Sequence, residues 1–275
     1  MQIDNHPTPV KHPSISVGVV TYQSAVTIAA TLESLVVAAH AYPGEVNIWV
    51  RDNGSSDETT ALIDQIAATE PTLAMVDGSD NIGYGRGHNA ILRHSEAPVH
   101  VICNPDIVVT PGFFRDSASF LADHRDVGLM SPRMTWPDGS VQHSNRQHPT
   151  VLDLALRRFA LGRLGDICKS RMAHYEMAEI GYETSYDVPF CSGALMVCRR
   201  SALDAVGGFD DRFFLYFEDA DLSRMLQAAG WRTVFNPDVT VVHGWQRTAH
   251  RSGRIALVLV RNGIRYFGKW GWRLA

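Results

Sequence analysis

The chain has 275 residues, of which 45% are hydrophobic and 20% are charged, as in an ordinary globular protein that can bury a sizeable core. The formal net charge is −4 at pH 7, and the strongly basic region is confined to the C-terminal end, which speaks against nucleic-acid binding. The four cysteines have no CxxC spacing, which favours buried thiols of a reducing cytoplasm over a disulfide framework or a zinc site; they are Cys103, Cys168, Cys191 and Cys198.

The first half of the chain alternates strand and helix signals. Apolar, β-branched runs predict buried strands at residues 15–22, 46–53, 72–77 and 99–106. Helices are predicted between them at residues 24–40, 58–69 and 87–95, and Ser55 with Glu58 matches a capping box for the second helix. This series predicts an α/β fold with a mostly parallel twisted sheet flanked by helices.

The second half has a less regular pattern. Residues 136–186 lose the alternation and carry a Trp-Pro-Asp-Gly turn followed by a basic and aromatic helical stretch. Strand signals return at 190–200, followed by a short helix closed by Gly207 and Gly208 and a helix that ends at Gly230. Two further strand-like runs lie at 233–235 and 239–243. We expect one domain with a variable insertion.

Polar residues follow the predicted strands, where parallel sheets bind their ligands. Asp52 and Asn53 end the second strand and can hydrogen-bond a base or a ribose, although Asn-Gly and Ser-Ser-Asp sequences are also common turn formers. Asp106 ends the fourth strand, and its carboxylate suits Mg²⁺ or Mn²⁺ bridging a nucleotide diphosphate. His243 ends the last predicted strand, as a structural histidine or as a ligand that favours Mn²⁺. The second Asn-Pro-Asp, at 236–238, predicts a hairpin or bend.

The segment NIGYGRGHN, residues 81–89, has three glycines at alternate positions, which allow close approach of the backbone to a ligand. Arg86 could meet a diphosphate there. The segment is not GxGxxG and follows the third strand instead of the first, so a dinucleotide-binding interpretation fails. A flexible turn remains an equal alternative.

The segment FLYFEDADL, residues 214–222, sets three carboxylates behind aromatic side chains. Glu218 and Asp219 fall at the start of a predicted helix, where acids stabilise by capping and through the helix dipole. Capping explains one acid but not three, and apolar surroundings make a carboxylate a better base. We therefore expect Glu218 to cap, Asp221 to serve structure or orientation, and Asp219 to take a proton.

Six segments occur in this order: TYQSAVTIAATLESL, DNGSSD, NIGYGRGHN, CNPDIVV, the stretch 191–231 and VVHGW. The ordered set resembles family 2 glycosyltransferases with the GT-A fold. The nearest branch is the bacterial rhamnosyltransferases of surface-polysaccharide assembly, which use dTDP-L-rhamnose. The resemblance covers residues 14–245 and is most specific over 191–231.

The resemblance implies a role for each matching residue. Asp219 would be the catalytic base of an inverting transfer, and Asp106 and His243 would hold Mg²⁺ or Mn²⁺. Asn104 stands where the family has the first aspartate of its DXD motif. The nucleotide sugar would be bound by Thr21, Asp52, Asn81, Gly83, Arg86, Asn104, Asp106 and Gly193. The partners would be dTDP-L-rhamnose and a glycan or lipid-linked acceptor.

The expected organisation is an N-terminal tail at 1–13, a GT-A domain at 14–245 and a basic aromatic helix at 246–275. Residues 14–110 would form the nucleotide-binding half and residues 111–245 the acceptor and catalytic half. The polar N-terminus shows no signal peptide, and the apolar run IALVLV is too short to span a bilayer, so we expect a cytoplasmic protein. The C-terminal helix either packs on the domain or docks on an anionic membrane surface.

Two alternatives differ in class from a sugar transferase. A sugar nucleotidyltransferase would need a glycine-rich phosphate loop straight after the first strand, where this chain has TYQSAV. A non-catalytic binding subunit would not need the base, metal and nucleotide positions that are all filled here.

Overall fold

The computed structural model describes residues 12–159, 166–244 and 253–274, and their side chains except at 157–159, 166–168 and 253–254. Its strands are β1 Ile15–Thr21, β2 Val46–Asp52, β3 Leu73–Met75, β4 Val99–Cys103, β5 Ile107–Val109, β6 Val127–Thr135, β7 Tyr186–Asp187, β8 Leu195–Arg199 and β9 Arg232–His243. Its helices are α1 Ile28–Ala41, α2 Thr59–Ala67, α3 Tyr84–Leu92, α4 Phe113–Asp123, α5 Val151–Phe159, α6 Asp166–Tyr175, α7 Arg200–Val206, α8 Glu218–Ala228 and α9 Gly253–Trp270. The predicted α/β sheet flanked by helices is confirmed.

The parallel part of the sheet is built from the first four strands. Every residue of β1 is buried, as its β-branched run predicts, and β1 pairs in parallel with both β2 and β4. β3 extends the sheet beyond β2, also in parallel. Thr21 and Asp52 are partners in the register of β1 and β2, so both lie at the carboxyl edge of the sheet.

The rest of the sheet is mixed, which differs from the expectation of a mostly parallel sheet. The strands follow the order β3-β2-β1-β4-β8-β6-β9-β5, with β8 antiparallel to both β4 and β6. The two runs predicted at 233–235 and 239–243 are one strand, β9, which pairs in parallel with β6. The Asn-Pro-Asp at 236–238 lies inside this strand at a shift of register, so of the two expected alternatives the structure has a local bend, a bulge, and no hairpin at this position.

The predicted capping box of α2 is also wrong. Ser55 binds the carboxylate of Asp52 instead, with 2.6 Å from its Oγ to Oδ1. Asp57 takes the place of a cap, since its Oδ1 accepts from Thr59 Oγ1 at 2.5 Å and from Thr59 N at 3.2 Å. Its other oxygen accepts from the backbone N–H of Ala25 at 3.2 Å and so ties α2 to the loop after β1.

Helix α9 packs along α8 and the segment that precedes it, in a cluster formed by Phe213, Phe217, Ala220, Tyr266 and Phe267. Within the described ranges, no helix has both the length and the hydropathy needed to cross a bilayer. The thiols of Cys103, Cys191 and Cys198 are buried and free, as expected. The side chain of Cys168 and the predicted domain boundary at 245 lie outside the described residues.

Candidate active site

The carboxyl end of β2 forms a tight turn around the carboxylate of Asp52. Oδ1 accepts from Thr21 Oγ1 at 2.8 Å and from Ser55 Oγ at 2.6 Å. Oδ2 accepts from the backbone N–H groups of Gly54 at 3.0 Å and Ser55 at 2.7 Å. Thr21 and Asp52 thus lie together as expected. Both oxygens of the Asp52 carboxylate are already hydrogen-bonded to residues of this turn and to Thr21.

Asn53 joins this turn to the glycine-rich segment. Its side-chain N–H₂ donates to the carbonyl of Gly83 at 3.1 Å, and its buried Oδ1 has no hydrogen-bond partner among the described residues. Asn81 lies beside it and accepts from the backbone N–H of Gly83 at 3.1 Å. The Asn53 oxygen is therefore a buried acceptor without a partner among the described residues.

Gly83 is required by its position. Its φ is +92°, and a Cβ there would come within 2.3 Å of the carbonyl oxygen of Phe214. That carbonyl accepts the backbone N–H of Tyr84 at 2.9 Å, so the start of α3 is fastened to the segment before α8.

The guanidinium of Arg86 is hydrogen-bonded to another part of the protein. Its Nε donates to the backbone carbonyl of Asp211 at 2.6 Å, on an exposed part of the surface. In this arrangement the guanidinium holds the loop before α8 next to α3.

Asp106 and His243 converge at the end of the sheet. Asp106 Oδ2 lies 3.4 Å from His243 Nε2, and the carbonyl of Asp106 accepts the backbone N–H of Gly244 at 2.8 Å. The backbone N–H of Asn104 donates to the carbonyl of Ala194 at 2.9 Å, which joins the end of β4 to the Cys-Ser-Gly-Ala loop before β8.

Gln142 determines which nitrogen of His243 faces Asp106. Its Nε2 donates to the backbone carbonyl of His243 at 2.8 Å, which leaves Oε1 to accept from His243 Nδ1 at 2.9 Å. The Nδ1 atom therefore carries a proton, and Nε2 is the ring nitrogen that faces the carboxylate of Asp106. In the neutral imidazole, Nε2 and the carboxylate of Asp106 could both bind one cation.

The donor set fits a divalent cation that is shared with a phosphate. One carboxylate and one neutral imidazole are ligands that Mn²⁺ accepts, and Mg²⁺ commonly takes its remaining ligands from substrate phosphates and water. Within the described ranges, no group of three or more His, Cys, Asp or Glu side chains could hold a metal ion alone. A ligand with its own phosphate oxygens would complete the set.

Asp219 lies in the first turn of α8, half-buried, against the loop before β8. Its Oδ2 accepts from the backbone N–H of Gly193 at 3.0 Å, and Oδ1 accepts from the N–H of Ala220 at 2.9 Å. A Cβ on Gly193 would lie 3.0 Å from the Cβ of Asp219, so the glycine allows this approach. On the other side, Tyr84 donates its hydroxyl to the carbonyl of Gly193 at 2.6 Å.

The other two acids of the motif are buried and differ in their partners. Burial and the adjacent charge of Asp219 raise the pKa of Glu218 well above its ordinary value, and Oε2 of Glu218 has no described partner. Glu218 is buried and makes no side-chain cap bond to α8, so the expectation that it caps this helix is wrong. Asp221 accepts from Lys269 Nζ at 2.7 Å and from Trp270 Nε1 at 2.6 Å, which is the structural role predicted for it.

Two residues of this region were not found from sequence, Gln142 and Tyr84, whereas Asn53 was expected at this corner beside Asp52. Gln142 lies 101 residues from His243, and Tyr84 lies 109 residues from Gly193. Local patterns carry no signal for such pairs. The glycines at 83, 85 and 87 were expected to let the backbone approach a ligand. In the structure, a Cβ on each would meet the protein's own Phe214, Phe209 and Val20.

The family model for glycosyltransferase like family 2 matches residues 12–258 of this chain. An N-acetylglucosaminyl-diphospho-decaprenol L-rhamnosyltransferase of Mycobacterium tuberculosis is 30% identical over 246 residues, which cover 86% of this chain and 76% of that protein. Rhamnosyltransferase WbbL of Escherichia coli K12 is 27% identical over 208 residues, which cover 71% of this chain and 72% of that protein.

Among solved structures, a mannosyltransferase of Pyrobaculum calidifontis in complex with GDP-Man and Mn²⁺ has a TM-score of 0.62 and 21% sequence identity to this chain. The match covers 98% of this chain and 67% of that one. At that identity the likeness shows a shared fold.

Proposed function

Because this chain belongs to glycosyltransferase family 2, we propose that it moves L-rhamnose from dTDP-L-rhamnose to a hydroxyl of a lipid-linked or oligosaccharide acceptor, in an inverting, metal-dependent reaction of cell-surface polysaccharide synthesis. Membership in the family makes the protein a glycosyltransferase. The proposal of rhamnose is supported by the two relatives named rhamnosyltransferases. The lipid-diphosphate acceptor is supported by the name of the mycobacterial relative.

The observation that carries the mechanism is the contrast between Glu218 and Asp219. Burial raises the pKa of Glu218 well above its ordinary value, whereas Asp219 is half-buried and is held by the backbone N–H of Gly193. Asp219 is then the carboxylate that accepts the proton of the acceptor hydroxyl while that oxygen attacks the anomeric carbon. The bond from this carbon to the nucleoside diphosphate breaks in the same displacement, and general-base action of this kind contributes about 10²–10⁴-fold to the rate. NMR of the product should show an anomeric configuration opposite to that of the donor, and retention would contradict the displacement.

Asp106 and His243 are the residues that would hold the divalent cation, with the donor diphosphate as its further ligand. A bound Mg²⁺ or Mn²⁺ would supply charge stabilisation for the departing diphosphate. The likeness to a mannosyltransferase structure with Mn²⁺ supports such an ion. Asn104 lies two residues before Asp106, near enough in sequence to contact the same diphosphate or the donor sugar.

The nucleotide part of the donor is proposed to bind at the corner formed by Thr21, Asp52 and Asn53. The four hydrogen bonds to Asp52 fix the shape of the turn, and the Asn53 carbonyl oxygen, buried and without a partner among the described residues, is the acceptor proposed for a base. Asn81 and Gly83 border this corner, while Arg86 would reach a phosphate only by releasing the Asp211 carbonyl.

The proposed donor is tested by thermal unfolding with a panel of nucleotide sugars, each with and without Mn²⁺. We expect dTDP-L-rhamnose with Mn²⁺ to raise Tm most, because a ligand at 100 times its Kd stabilises the folded state by about 2.7 kcal/mol. dTDP-glucose is the matched control for the sugar, and UDP-GlcNAc and GDP-mannose are controls for the base. An equal rise with a UDP- or GDP-sugar, or a rise that is independent of Mn²⁺, would contradict the assignment.

The outer face of α9 is proposed to dock on an anionic membrane surface, where a lipid-linked acceptor would lie. Leu257, Val260 and Ile264 form an exposed apolar stripe on this helix, and Arg261 beside them is also exposed. From Gly244 to Ala275 the chain has no Asp or Glu, so the charge of this end complements anionic lipids. The inner face of α9 packs on the domain. The sequence posed packing on the domain and docking on a membrane as alternatives, and we propose that each applies to a different face of this helix.

A further inference from the structure

The inner face of α9 holds the segment that leads into the Glu-Asp pair. We propose that Asn262 is a positioning residue of the transfer reaction, which keeps Tyr216 and Phe217 in a left-handed backbone conformation and thereby holds Asp219 against Gly193. This inference rests on the proposed function of the site. It assigns a catalytic contribution to the C-terminal helix, which lies outside the family motifs of the sequence.

Tyr216 and Phe217 have an unusual backbone. Their φ angles are +67° and +71°, in the region that favours glycine, and both are bulky aromatic residues. Such a conformation is unfavourable by itself and persists only where the surroundings enforce it. Phe217 directly precedes α8, so this pair sets the direction in which the helix and Asp219 begin.

Asn262 supplies hydrogen bonds that enforce this conformation. Its side chain is only 1% exposed, and its Nδ2 donates to the carbonyl of Leu215 at 2.8 Å and to that of Tyr216 at 3.4 Å. A side-chain amide that binds consecutive carbonyls in a turn fixes the peptide planes between them. The carbonyl of Phe214, just before, is held from the other side by the N–H of Tyr84.

Other residues of α9 keep Asn262 in register with the segment. The ring of Phe217 lies 5.4 Å from that of Tyr266, centroid to centroid, and Gly263 lies against its edge. One turn further on, Lys269 and Trp270 neutralise and bind the buried carboxylate of Asp221, while Lys269 also contacts Asp210 at 2.9 Å. Helix α9 is therefore bonded to the chain both before and after Tyr216 and Phe217, at Asp210 and at Asp221.

Loss of the Asn262 amide should let the pair relax toward negative φ and move the first turn of α8. Asp219 follows Phe217 by two residues, and the bond from Gly193 N–H to its Oδ2 depends on that turn. Asn262 touches neither the proposed base corner nor Asp106 and His243. Its loss should therefore slow the chemical step and leave donor binding unchanged.

The test compares the full chain with Asn262→Ala, using the wild type and Asn47→Ala as controls. Asn47 lies at the other end of β2 from Asp52, and its side chain donates to Glu45 Oε1 at 2.7 Å on the exposed surface. We expect Asn262→Ala to lower kcat about 10- to 100-fold, the usual cost of displacing a catalytic group by about 1 Å, with donor Kd unchanged. Hydrogen exchange of the amides between 214 and 221 should accelerate in Asn262→Ala and stay at the wild-type rate in Asn47→Ala.

A second pair of variants separates positioning from a loss of fold. Glycine adopts positive φ readily, so in a Tyr216→Gly background the Asn262→Ala change should lower kcat by a much smaller factor than in the wild type. An equal factor in both backgrounds, a fully active Asn262→Ala, or unchanged exchange at 214–221 would overturn the positioning role. A wild type that transfers no sugar overturns the proposed function, and this inference with it.

Discussion

At the level of single residues, Gln142 has a defined role although it is expected to contact neither the cation nor the nucleotide sugar. It acts on His243. The Gln142 amide keeps a proton of His243 on Nδ1 and turns Nε2 toward Asp106. Partners of this kind orient a metal-binding imidazole and set its basicity. The affinity for the cation should therefore depend on Gln142, which would contact the cation only through the ring of His243.

We predict that Gln142→Leu weakens Mn²⁺ binding about 10- to 100-fold, because the histidine loses the partner that fixes its tautomer and orientation. The measurement is a calorimetric titration of Mn²⁺ into the protein in the presence of dTDP. Gln65→Leu, an exposed glutamine on α2, is the matched control and should bind as the wild type does. Equal affinity in both variants would mean that His243 is not a ligand oriented by Gln142.

At the level of elements, α9 has two faces with different partners. Its inner face carries Asn262, Tyr266, Phe267 and Lys269, which contact the segment before α8 and α8 itself. Its outer face presents aliphatic side chains to solvent, with Leu257 70% exposed. Lys269 is turned inward to Asp210 and Asp221, so fewer basic groups remain for a membrane than the sequence suggested.

We predict that Leu257→Ser, Val260→Ser and Ile264→Ser together lower binding to vesicles of phosphatidylglycerol and phosphatidylcholine at least about tenfold, since each aliphatic side chain contributes about 1.5–3 kcal/mol on full burial. Co-flotation with the vesicles measures the bound fraction. Val26→Ser with Val37→Ser, which changes exposed valines of the first βα unit, is the control that should bind as the wild type does. Binding that is unaffected by the triple change, or equal on vesicles of phosphatidylcholine alone, contradicts docking of this face on anionic lipid.

At the level of the whole molecule, the sequence predicted the strands that carry the site better than the contacts that complete it. Asp52, Asp106 and His243 were found because each ends an apolar run, and parallel strands deliver such ends to one edge. The mixed half of the sheet was not predicted, because apolar runs do not reveal the direction in which a strand pairs. The prediction of a capping box was wrong because the turn after β2 brings Ser55 to Asp52, and the Ser55 hydroxyl donates to that carboxylate.

The contacts between distant segments lay beyond sequence reasoning for a physical reason. Arg86 was expected at a diphosphate but binds the carbonyl of Asp211, 125 residues away along the chain. Asn262 binds Leu215 across 47 residues. Such pairs depend on the packing of α3 and α9 on the segment before α8, which no local pattern encodes.

The most direct test of the account is transfer by Asp219→Asn, measured beside donor binding to the same protein. We predict that the rate of transfer from dTDP-L-rhamnose falls about 10²–10⁴-fold, because an amide cannot accept the proton of the acceptor hydroxyl. The Kd for the donor with Mn²⁺ should stay near the wild-type value, and Asp238→Asn, an exposed aspartate in the bulge of β9, should be as active as the wild type. Loss of both transfer and donor binding, or loss of neither, would contradict the assignment of Asp219 as the base.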